Sequence, residues 1–432
     1  MPAGARHAAS YWAATAGPLP VLGPATNDLD TDVVIVGGGF TGLSTAWHLH
    51  RAGRHCVVLE ANEIGWGASG RNGGMVVPRY KFTFPTLEAR YGREVALEMY
   101  RGAHAAVDTV ERIVADCAID CDFARSGHLT PMVHRADVGR FTADVRWLAD
   151  HAGDRRPAML DAAEAAHRIG TAFYTAACFE PRGGGIHPLR YCIGLASVLA
   201  ARGVTLFVHT PALSWRKDGD GIVVKTRGAR IRARQLVLAT NGYSDLAPVT
   251  AALRCRVVPM VSSLIATAPL PDPLRRSILP QGHLATDAKR LTNYYRMMPD
   301  GRFVFGGRGG ASNRESPAIY RRLARDMVRL FPQLGGTAID HRWSGRVAVT
   351  IDGLPHAGRI DDRVSYAVGY NGRGVALSAL LGGMLARFAC GEPATLGAVT
   401  AAPFDPIPFH ALRVPAKQAA IAWFRVLDAL GA

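Results

Sequence analysis

The sequence predicts an α/β fold organised around a dinucleotide-binding unit. Three observations predict it: a strand, glycine turn, helix and second strand over residues 32–60, a returning buried strand at 235–239, and another strand, glycine turn and helix at 364–389. Residues 86–179 carry no nucleotide signature. We therefore expect a separate, substrate-covering unit to begin there.

The first unit reads DVVIVGGGFTGLSTAWHLHRAGRHCVVLE. Its apolar start and the apolar run at 56–59 are typical of buried strands, and GGGFTG between them is a complete GxGxxG. In such a turn Gly37 permits the tight bend, Gly39 lets the backbone approach a pyrophosphate, and Gly42 lets the helix pack on the strand. Glu60 ends the second strand, where a carboxylate meets an adenosine ribose. These residues alone leave NAD and FAD open.

The length of the chain bounds its organisation. At 432 residues it is long enough for two or three domains of roughly 150 residues each. No apolar run reaches the roughly 18 residues that a membrane span needs. The first residues of the sequence lack the sustained apolar core of a secretory signal, so we expect a cytoplasmic protein without a membrane span.

Charge and cysteine content exclude several classes of protein. The net charge of +15 permits an anionic partner, but the arginines are scattered, which favours a basic surface or an anionic substrate over nucleic acid. The seven cysteines are odd in number and include no C-x-x-C pair, which is typical of reduced core residues. Cys117 and Cys121 lack a nearby second pair of ligands, so we predict no metal site.

A second glycine-rich segment, GWGASGRNGG, follows at residues 65–74. Its small side chains would let the backbone approach a flat ligand closely. By itself the composition of this segment is equally consistent with an ordinary flexible loop and with a ligand-binding segment.

The remaining elements alternate between helix and strand. Residues 86–118 show helical periodicity, residues 123–133 and 173–179 are strand-like, and Pro188 opens another helix. Residues 253–310 are strand-like again. We expect these strands to form the sheet of the substrate-covering unit.

Two later segments return to the nucleotide unit. The strand at 235–239 leads into Asn241 and Gly242, and GYNGRGV at 369–375 begins a long apolar helix. The N-terminal amides of that helix form a second anion or carbonyl site. The tail at 416–430 is an amphipathic helix, which we expect to pack on the body or to form a subunit contact.

Six motifs, in one order from residue 37 to residue 375, resemble a known family. They are GGGFTG, GWGASGRNGG, GGGIHPLR, LVLATNGY, TIDGLPHAGRI and GYNGRGV. They resemble the FAD-dependent D-amino acid oxidase superfamily, in the branch of glycine oxidase and sarcosine oxidase. The opening Tyr11-Trp12 is similar to the gamma-glutamylputrescine oxidase type.

The resemblance implies a Rossmann-like FAD-binding domain built from discontinuous segments, 1–85, 180–250 and 335–432. An inserted α+β substrate domain with a mixed or antiparallel sheet would comprise 86–179 and 251–334. The implied flavin-binding residues are Gly37, Gly39, Phe40, Thr41, Gly42, Glu60, Ala61, Ala68, Ser69, Gly70, Arg71, Asn72, Gly73, Gly74, Asn241, Gly242, Gly372, Arg373, Gly374 and Val375.

Departures from the family's pattern bear on the cofactor linkage and the substrate. No cysteine lies between residues 341 and 376, where some relatives attach the flavin, so we expect noncovalent FAD. Sarcosine oxidases carry a lysine just after the last glycine motif, where this chain has Val375-Ala376, and relatives of the putrescine type often have histidine where this chain has Arg373. Both differences leave the amine open.

The resemblance implies oxidation of the C–N bond of a small primary or secondary amine or amino acid. A neutral amine would transfer hydride to flavin N5, water would hydrolyse the imine, and molecular oxygen would reoxidise the flavin to give hydrogen peroxide. The candidate catalytic residues are Arg373 in the glycine turn, His356 near it, and Tyr295 and Arg308 on predicted substrate-domain strands. Arg308 could pair with a substrate carboxylate, and His356 could equally be structural.

Other functional classes fit part of the pattern. The alternatives are a flavin-dependent amine or amino-acid dehydrogenase with a non-oxygen acceptor, and a non-catalytic flavin-binding partner protein. An NAD-dependent dehydrogenase leaves GASGRNGG and GYNGRGV unexplained. The sequence does not distinguish a monomer from a homo-oligomer.

Overall fold

The elements of the fold are given by a computed structural model that describes residues 5–310 and 315–430, with the backbone alone for residues 308–310. The strands are β1 (Leu29–Val36), β2 (Cys56–Leu59), β3 (Met75–Val76), β4 (His128–Met132), β5 (Ala158–Leu160), β6 (Ala176–Glu180), β7 (Gly184–Gly185), β8 (Thr205–Phe207), β9 (Ser214–Asp218), β10 (Gly221–Lys225), β11 (Arg230–Leu238), β12 (Val258–Thr267), β13 (Leu284–Thr286), β14 (Asn293–Met297), β15 (Phe303–Gly310), β16 (Ile339–Val349), β17 (His356–Arg359) and β18 (Val364–Val368). The helices are α1 (Tyr11–Thr15), α2 (Phe40–Arg51), α3 (Phe84–Tyr91), α4 (Arg93–Asp116), α5 (Arg135–Ala152), α6 (Ala162–Ile169), α7 (Pro188–Ala201), α8 (Ala251–Arg254), α9 (Asp272–Ser277), α10 (Pro317–Leu330), α11 (Gly374–Ala389), α12 (Ala398–Ala401) and α13 (Arg413–Leu430).

The first sheet is built around β1. This strand runs parallel to β2 on one side, with Val33 opposite Cys56, and to β11 on the other, with Val33 opposite Gln235. The order is β17-β18-β11-β1-β2-β8, and β10 and β9 extend the sheet from β11. The last four residues of β1 are buried, as expected for a parallel strand covered on both faces. This arrangement confirms the predicted Rossmann-like α/β class.

The second sheet is mixed and has the order β16-β12-β15-β14-β13-β4-β6-β5. β12 pairs antiparallel with β15 and β16, whereas β13 and β4 run parallel. The sheet confirms the predicted mixed or antiparallel sheet of the substrate unit. β16 lies among the residues predicted for the first unit, yet it pairs with β12 from Ile339 to Val349. The domain boundaries themselves stay a prediction.

Helices α2 and α11 pack against each other beside the first sheet. The Ser44 hydroxyl on α2 donates a hydrogen bond to the Ala379 carbonyl on α11 over 2.7 Å. A Cβ on Gly382 would lie 2.6 Å from the Ser44 Cβ, so this close approach requires glycine. Because each helix starts directly after a glycine turn, their packing brings residues 37–42 next to residues 369–375.

The helix predicted over residues 86–118 is two helices. They meet at Gly92, whose φ of +87° lies in the left-handed region and ends α3. The start of α3 is held by Asp144 of α5, which accepts a hydrogen bond from the Phe84 N–H at 2.8 Å and pairs with the buried Arg79 guanidinium at 2.7 Å. This ion pair neutralises two charges that would be costly to bury singly.

The state of the cysteines and the length and polarity of the helices can be compared with what the sequence predicted. All seven cysteines are free, and five of them are buried, in agreement with the reduced core residues that we predicted. Among residues 5–310 and 315–430, every helix is too short or too polar to cross a lipid bilayer.

Candidate active site

One large cavity lies between the two sheets and is the candidate active site. Its volume is about 950 Å³, at the upper end of the roughly 300–1,000 Å³ range of cofactor and ligand sites. All three predicted glycine segments line it, and so do residues of β12 and β14 from the second sheet. The cavity therefore joins the nucleotide-type unit and the substrate-type unit in one continuous space.

The first glycine turn is shaped by contacts that exclude side chains. Gly37 has a φ of +114°, and a Cβ there would lie 2.8 Å from the Ala239 carbonyl oxygen. A Cβ on Gly42 would lie 1.9 Å from the Gly37 carbonyl oxygen. The turn therefore places the N-terminus of α2 at the cavity. Gly39 and Thr41 line the cavity wall there. A helix N-terminus of this kind favours phosphate groups.

Glu60 lies at the cavity wall beside this turn. One carboxylate oxygen accepts the Gly38 N–H at 2.7 Å, and the other accepts the Asn62 N–H at 2.9 Å. Burial raises the pKa of Glu60, and these backbone hydrogen bonds oppose that shift. Because a carboxylate has about four acceptor positions, Glu60 can still accept a hydrogen bond from a hydroxyl group of a ligand in the cavity.

The second glycine segment is tied together by its own Asn72. The side-chain amide of Asn72 donates to the carbonyls of Ala68 and Ser69 at 3.0 and 2.8 Å, and its oxygen accepts the Gly74 N–H at 2.7 Å. The Ser69 hydroxyl in turn accepts the Phe40 N–H at 2.9 Å. The segment is therefore a hydrogen-bonded wall of the cavity and is joined to the first glycine turn.

The third segment joins residues that are far apart in the sequence. Asn241, with a φ of +42°, accepts the Gly369 N–H at 3.0 Å. Asn371 donates its side-chain amide to the Thr350 hydroxyl at 3.0 Å. The hydroxyls of Thr41 and Tyr370 lie 2.7 Å apart, which links this turn to the first one. The three glycine segments thus form one connected frame.

Most of the predicted flavin-binding residues line the cavity. Gly42, Gly70, Gly74 and Gly242 are the exceptions. A Cβ on each of these four would lie between 1.9 and 2.9 Å from a backbone oxygen, so they permit close packing behind the wall.

Only some of the predicted catalytic residues line the cavity. Arg373 lines the cavity. His356 does not: its Nε2 lies 3.0 Å from an Asp352 oxygen, and its ring stacks on Phe404 at 4.2 Å. The ring is buried and is covered by Phe404, a residue from the tail that local sequence does not reveal. Arg308 lies on β15, and its side chain is outside the described residues.

Tyr295, predicted to face the substrate, is turned the other way. It is fully buried and packs against Phe303, Phe305 and Phe331 in the core behind the second sheet. Since side chains alternate along a strand, its neighbour Tyr294 lines the cavity instead. Tyr295 therefore does not line the cavity, whereas the residue before it on β14 does.

The Tyr294 side chain is held in the cavity wall by a hydroxyl contact and by two glycines that pack against its ring. Its hydroxyl lies 2.8 Å from the Ser262 hydroxyl. A Cβ on Gly73 would lie 2.9 Å from the Tyr294 ring, and one on Gly306 would lie 2.3 Å from it. The two glycines therefore make room for the tyrosine ring against the second glycine segment.

A buried histidine near this wall was missed by sequence reasoning. The Nε2 of His128 lies 3.0 Å from the Thr286 hydroxyl, which also contacts the Met75 sulfur at 3.2 Å. Burial and the nearby Arg373 charge hold the pKa of His128 well below its ordinary value, so the ring is neutral near pH 7. Its position on a strand carried no motif that could have identified it.

The outer limb of the cavity runs along residues 286–290 to α13. Phe424, Leu427 and Asp428 of α13 line this limb. The Asp428 carboxylate accepts the Arg290 and Leu291 N–H groups at 3.0 Å each, which holds the helix end against the limb. Helical spacing of the inward residues was visible in the sequence, but not the surface on which they pack.

We predict a pH-dependent stability contribution from Asp287, which is buried in this limb 3.3 Å from the Lys289 amine. Burial raises its pKa to about 6. Since this exceeds the unfolded value of about 4, the group stabilises the fold below pH 4, and that contribution is lost as pH rises through 6. The stability of wild type relative to Asp287→Asn should fall by about 2–3 kcal/mol from pH 4 to pH 7.

Urea unfolding of both proteins at several values between pH 4 and pH 7 measures this difference directly. A stability difference that stays constant over that range would show that Asp287 does not titrate in this window.

A cluster of potential metal ligands lies outside the cavity. Ligand atoms of His104, Asp154 and Glu180 approach within 4.8 Å of one another. The Arg182 guanidinium bonds to both carboxylates, and burial lowers the pKa of His104 to about 4. Arginine thus occupies the place of a cation, and the cluster is an ion-pair network.

Comparison with known proteins identifies a family over most of the chain. A family model described as FAD dependent oxidoreductase, DAO, matches residues 32–388. Gamma-glutamylputrescine oxidoreductase from Escherichia coli strain K12 is 32% identical, over 98% of this chain and 99% of that protein.

Solved structures share the fold. Glycine oxidase from Geobacillus kaustophilus superimposes with a TM-score of 0.73 at 20% identity, covering 88% of this chain and 99% of its own. L-proline dehydrogenase from P. horikoshii gives a TM-score of 0.73 at 20% identity, covering 86% and 96%.

Proposed function

The chain belongs to the DAO family of FAD-dependent oxidoreductases, and from this premise we propose that it oxidises the C–N bond of a small primary or secondary amine, with molecular oxygen as the electron acceptor. The observation that carries the proposal is the single cavity shared by the three glycine segments and the residues of the second sheet. A cofactor and a small substrate can therefore meet in it.

The donor set of the cavity fits FAD. Glu60 can still accept a hydrogen bond from a ribose hydroxyl, and the N-terminus of α2 suits the pyrophosphate. We assign the ring to the space between residues 71–74 and residues 372–375. When bound, FAD supplies the two-electron acceptor for amine oxidation. We propose that it is held noncovalently, since no cysteine lies between residues 341 and 376.

The residues around the proposed ring site select the form of the amine. Arg373 and the N-terminus of α11 place positive charge at this end of the cavity. Positive charge disfavours a protonated amine, so the neutral form with its free lone pair binds preferentially. The neighbouring Tyr294 and Ser262 hydroxyls offer hydrogen bonds that orient its polar groups.

The outer limb supports an extended substrate. Residues 286–290 lead from the Met75 contact, at Thr286, to α13, where Asp428 holds the Arg290 N–H. The limb carries charges of both signs on Asp287, Lys289 and Arg290. Together with the similarity to gamma-glutamylputrescine oxidoreductase, these features favour a long amine with a polar far end over glycine.

Anaerobic titration of the yellow protein with a panel of amines tests the proposal. The panel comprises gamma-glutamylputrescine, free polyamines, N-methyl amino acids and glycine. We expect an extended amine to bleach the flavin, and admission of air to yield one hydrogen peroxide per flavin.

Two results would contradict parts of the proposal. A flavin that no amine bleaches would favour a non-catalytic flavoprotein. Bleaching without peroxide on exposure to air would indicate a dehydrogenase with another electron acceptor.

A further inference from the structure

We infer that residues 5–16 act as a clamp on the second glycine segment, and that Trp12 within them is a positioning residue for the bound flavin. The inference rests on the proposed placement of the ring beside residues 71–74. The clamp lies outside residues 32–388, the part of the chain that the family model matches.

Residues 5–12 of the clamp form four hydrogen bonds with residues 62–72, the segment that leads into the cavity wall. Each hydrogen bond joins groups distant in sequence, so each fixes one chain segment relative to the other. The pairs are Ala5 N–H to Asn62 Oδ1 at 3.0 Å, His7 N–H to Glu63 Oε2 at 2.9 Å, Trp66 Nε1–H to the Arg6 carbonyl at 2.8 Å, and Trp12 Nε1–H to the Asn72 carbonyl at 2.8 Å.

Trp12 makes the contact nearest to the proposed ring site. Its side chain is fully buried, and its indole meets that of Trp343 edge to face, with centroids 6.1 Å apart. Trp343 donates to the Arg71 carbonyl at 2.9 Å, while Trp12 donates to that of Asn72. Two indoles therefore orient two consecutive peptide groups.

Those two peptide groups belong to residues that line the cavity. Arg71, Asn72 and Gly73 all form its wall. The Asn72 side chain already bonds the rest of the segment from the inside. Trp12 bonds the same residue from the outside, so the wall is held on both sides.

The clamp itself is anchored on α7. The hydroxyl of Thr15 lies 2.9 Å from His187 Nε2, and Arg190 Nε–H donates to the Thr15 carbonyl at 3.0 Å. The His187 ring also meets the Trp12 indole edge to face at 4.9 Å. Burial lowers the pKa of His187 to about 3, so this anchor keeps one protonation state near pH 7.

The substitution Trp12→Phe tests the role of this hydrogen bond. Phenylalanine keeps an aromatic ring in the pocket and removes the only donor of the indole, so the Asn72 carbonyl loses its partner. We expect FAD to bind about tenfold more weakly, and the visible circular dichroism of the bound flavin to change. Both readouts are made without any amine, so a failed amine panel would leave this test intact.

The matched control is Trp215→Phe. Trp215 also donates its indole N–H to a backbone carbonyl, that of Val249 at 3.1 Å, but it does not line the cavity. We expect its FAD affinity and flavin circular dichroism to equal those of wild type. Trp343→Phe releases the adjacent Arg71 carbonyl, and it replaces the first variant in the test if that variant does not fold.

A reduced melting temperature with unchanged FAD affinity and flavin circular dichroism, in Trp12→Phe or its substitute, would overturn the inference. Trp12 would then stabilise the fold alone. Equal losses of affinity in Trp215→Phe would also overturn it, because the effect would not be specific to the clamp.

Discussion

Replacing Gly39 with valine is expected to weaken FAD binding by about 100-fold and to give a nearly colourless protein. The φ of Gly39 is −95°, which any residue can adopt, so the backbone of the turn need not be strained. A Cβ would lie 2.7 Å from the Ser69 hydroxyl, which bonds the Phe40 N–H at the start of α2. Valine would therefore displace Ser69 and fill the space where the phosphates approach.

The ratio of flavin absorbance to protein concentration measures this effect. Gly139→Val is the matched control, since Gly139 on α5 is exposed, has no neighbouring atom within 4 Å of its Cβ position and does not line the cavity. We expect the control to keep its flavin. Stoichiometric flavin in Gly39→Val would contradict the assignment of this turn to the pyrophosphate.

Replacing Asp428 with alanine is expected to lower kcat/KM for extended amines by about 30-fold, mainly through KM. The Asp428 carboxylate accepts two backbone N–H groups from residues 290 and 291, and its loss leaves the end of α13 held here by the contact of the Asp428 carbonyl with His134 Nε2 at 3.0 Å. Phe424 and Leu427 would then leave the outer limb of the cavity. The FAD content should stay that of wild type, because the Asp428 carboxylate bonds residues 290 and 291, which are not among the residues assigned to the flavin.

Steady-state kinetics over amines of increasing length measure this effect. Trp423→Ala is the control, since Trp423 lies on the outward face of the same helix with 59% of its surface exposed. We expect its kinetics to equal those of wild type. Equal KM values in Asp428→Ala and wild type would show that α13 does not bound the substrate space.

The sequence predicted the nucleotide unit well because local chemistry determines it. The glycines of GGGFTG are required by contacts within a few residues of the turn, such as the 1.9 Å approach of a Gly42 Cβ to the Gly37 carbonyl. Glu60 is placed by the strand that precedes it and by the Gly38 amide. Such short-range requirements leave a readable pattern.

The side of the sheet to which each strand residue points was harder to predict. Alternation separates Tyr294 from Tyr295 but does not say which of them meets the cavity. That choice depends on α10 and the residues around Phe331, which pack on one face of the second sheet and bury Tyr295. The information lies in contacts between distant segments.

The termini illustrate the same limit at larger distances. Periodicity predicted an amphipathic helix at 416–430, but its role in the cavity depends on Asp428 reaching residues 290 and 291. Likewise His356 is covered by Phe404.

The strand β16 was not predicted because its exposed and buried residues do not alternate regularly. Its strand conformation is stabilised by pairing with β12, which is distant in the sequence.

A crystal structure of the protein with FAD and a competing amine would test the central claim most directly. We predict that the flavin ring lies between residues 71–74 and residues 372–375, with its ribose at Glu60 and the amine in contact with Tyr294. A ring bound elsewhere in the cavity, or an amine held away from both Arg373 and Tyr294, would contradict it.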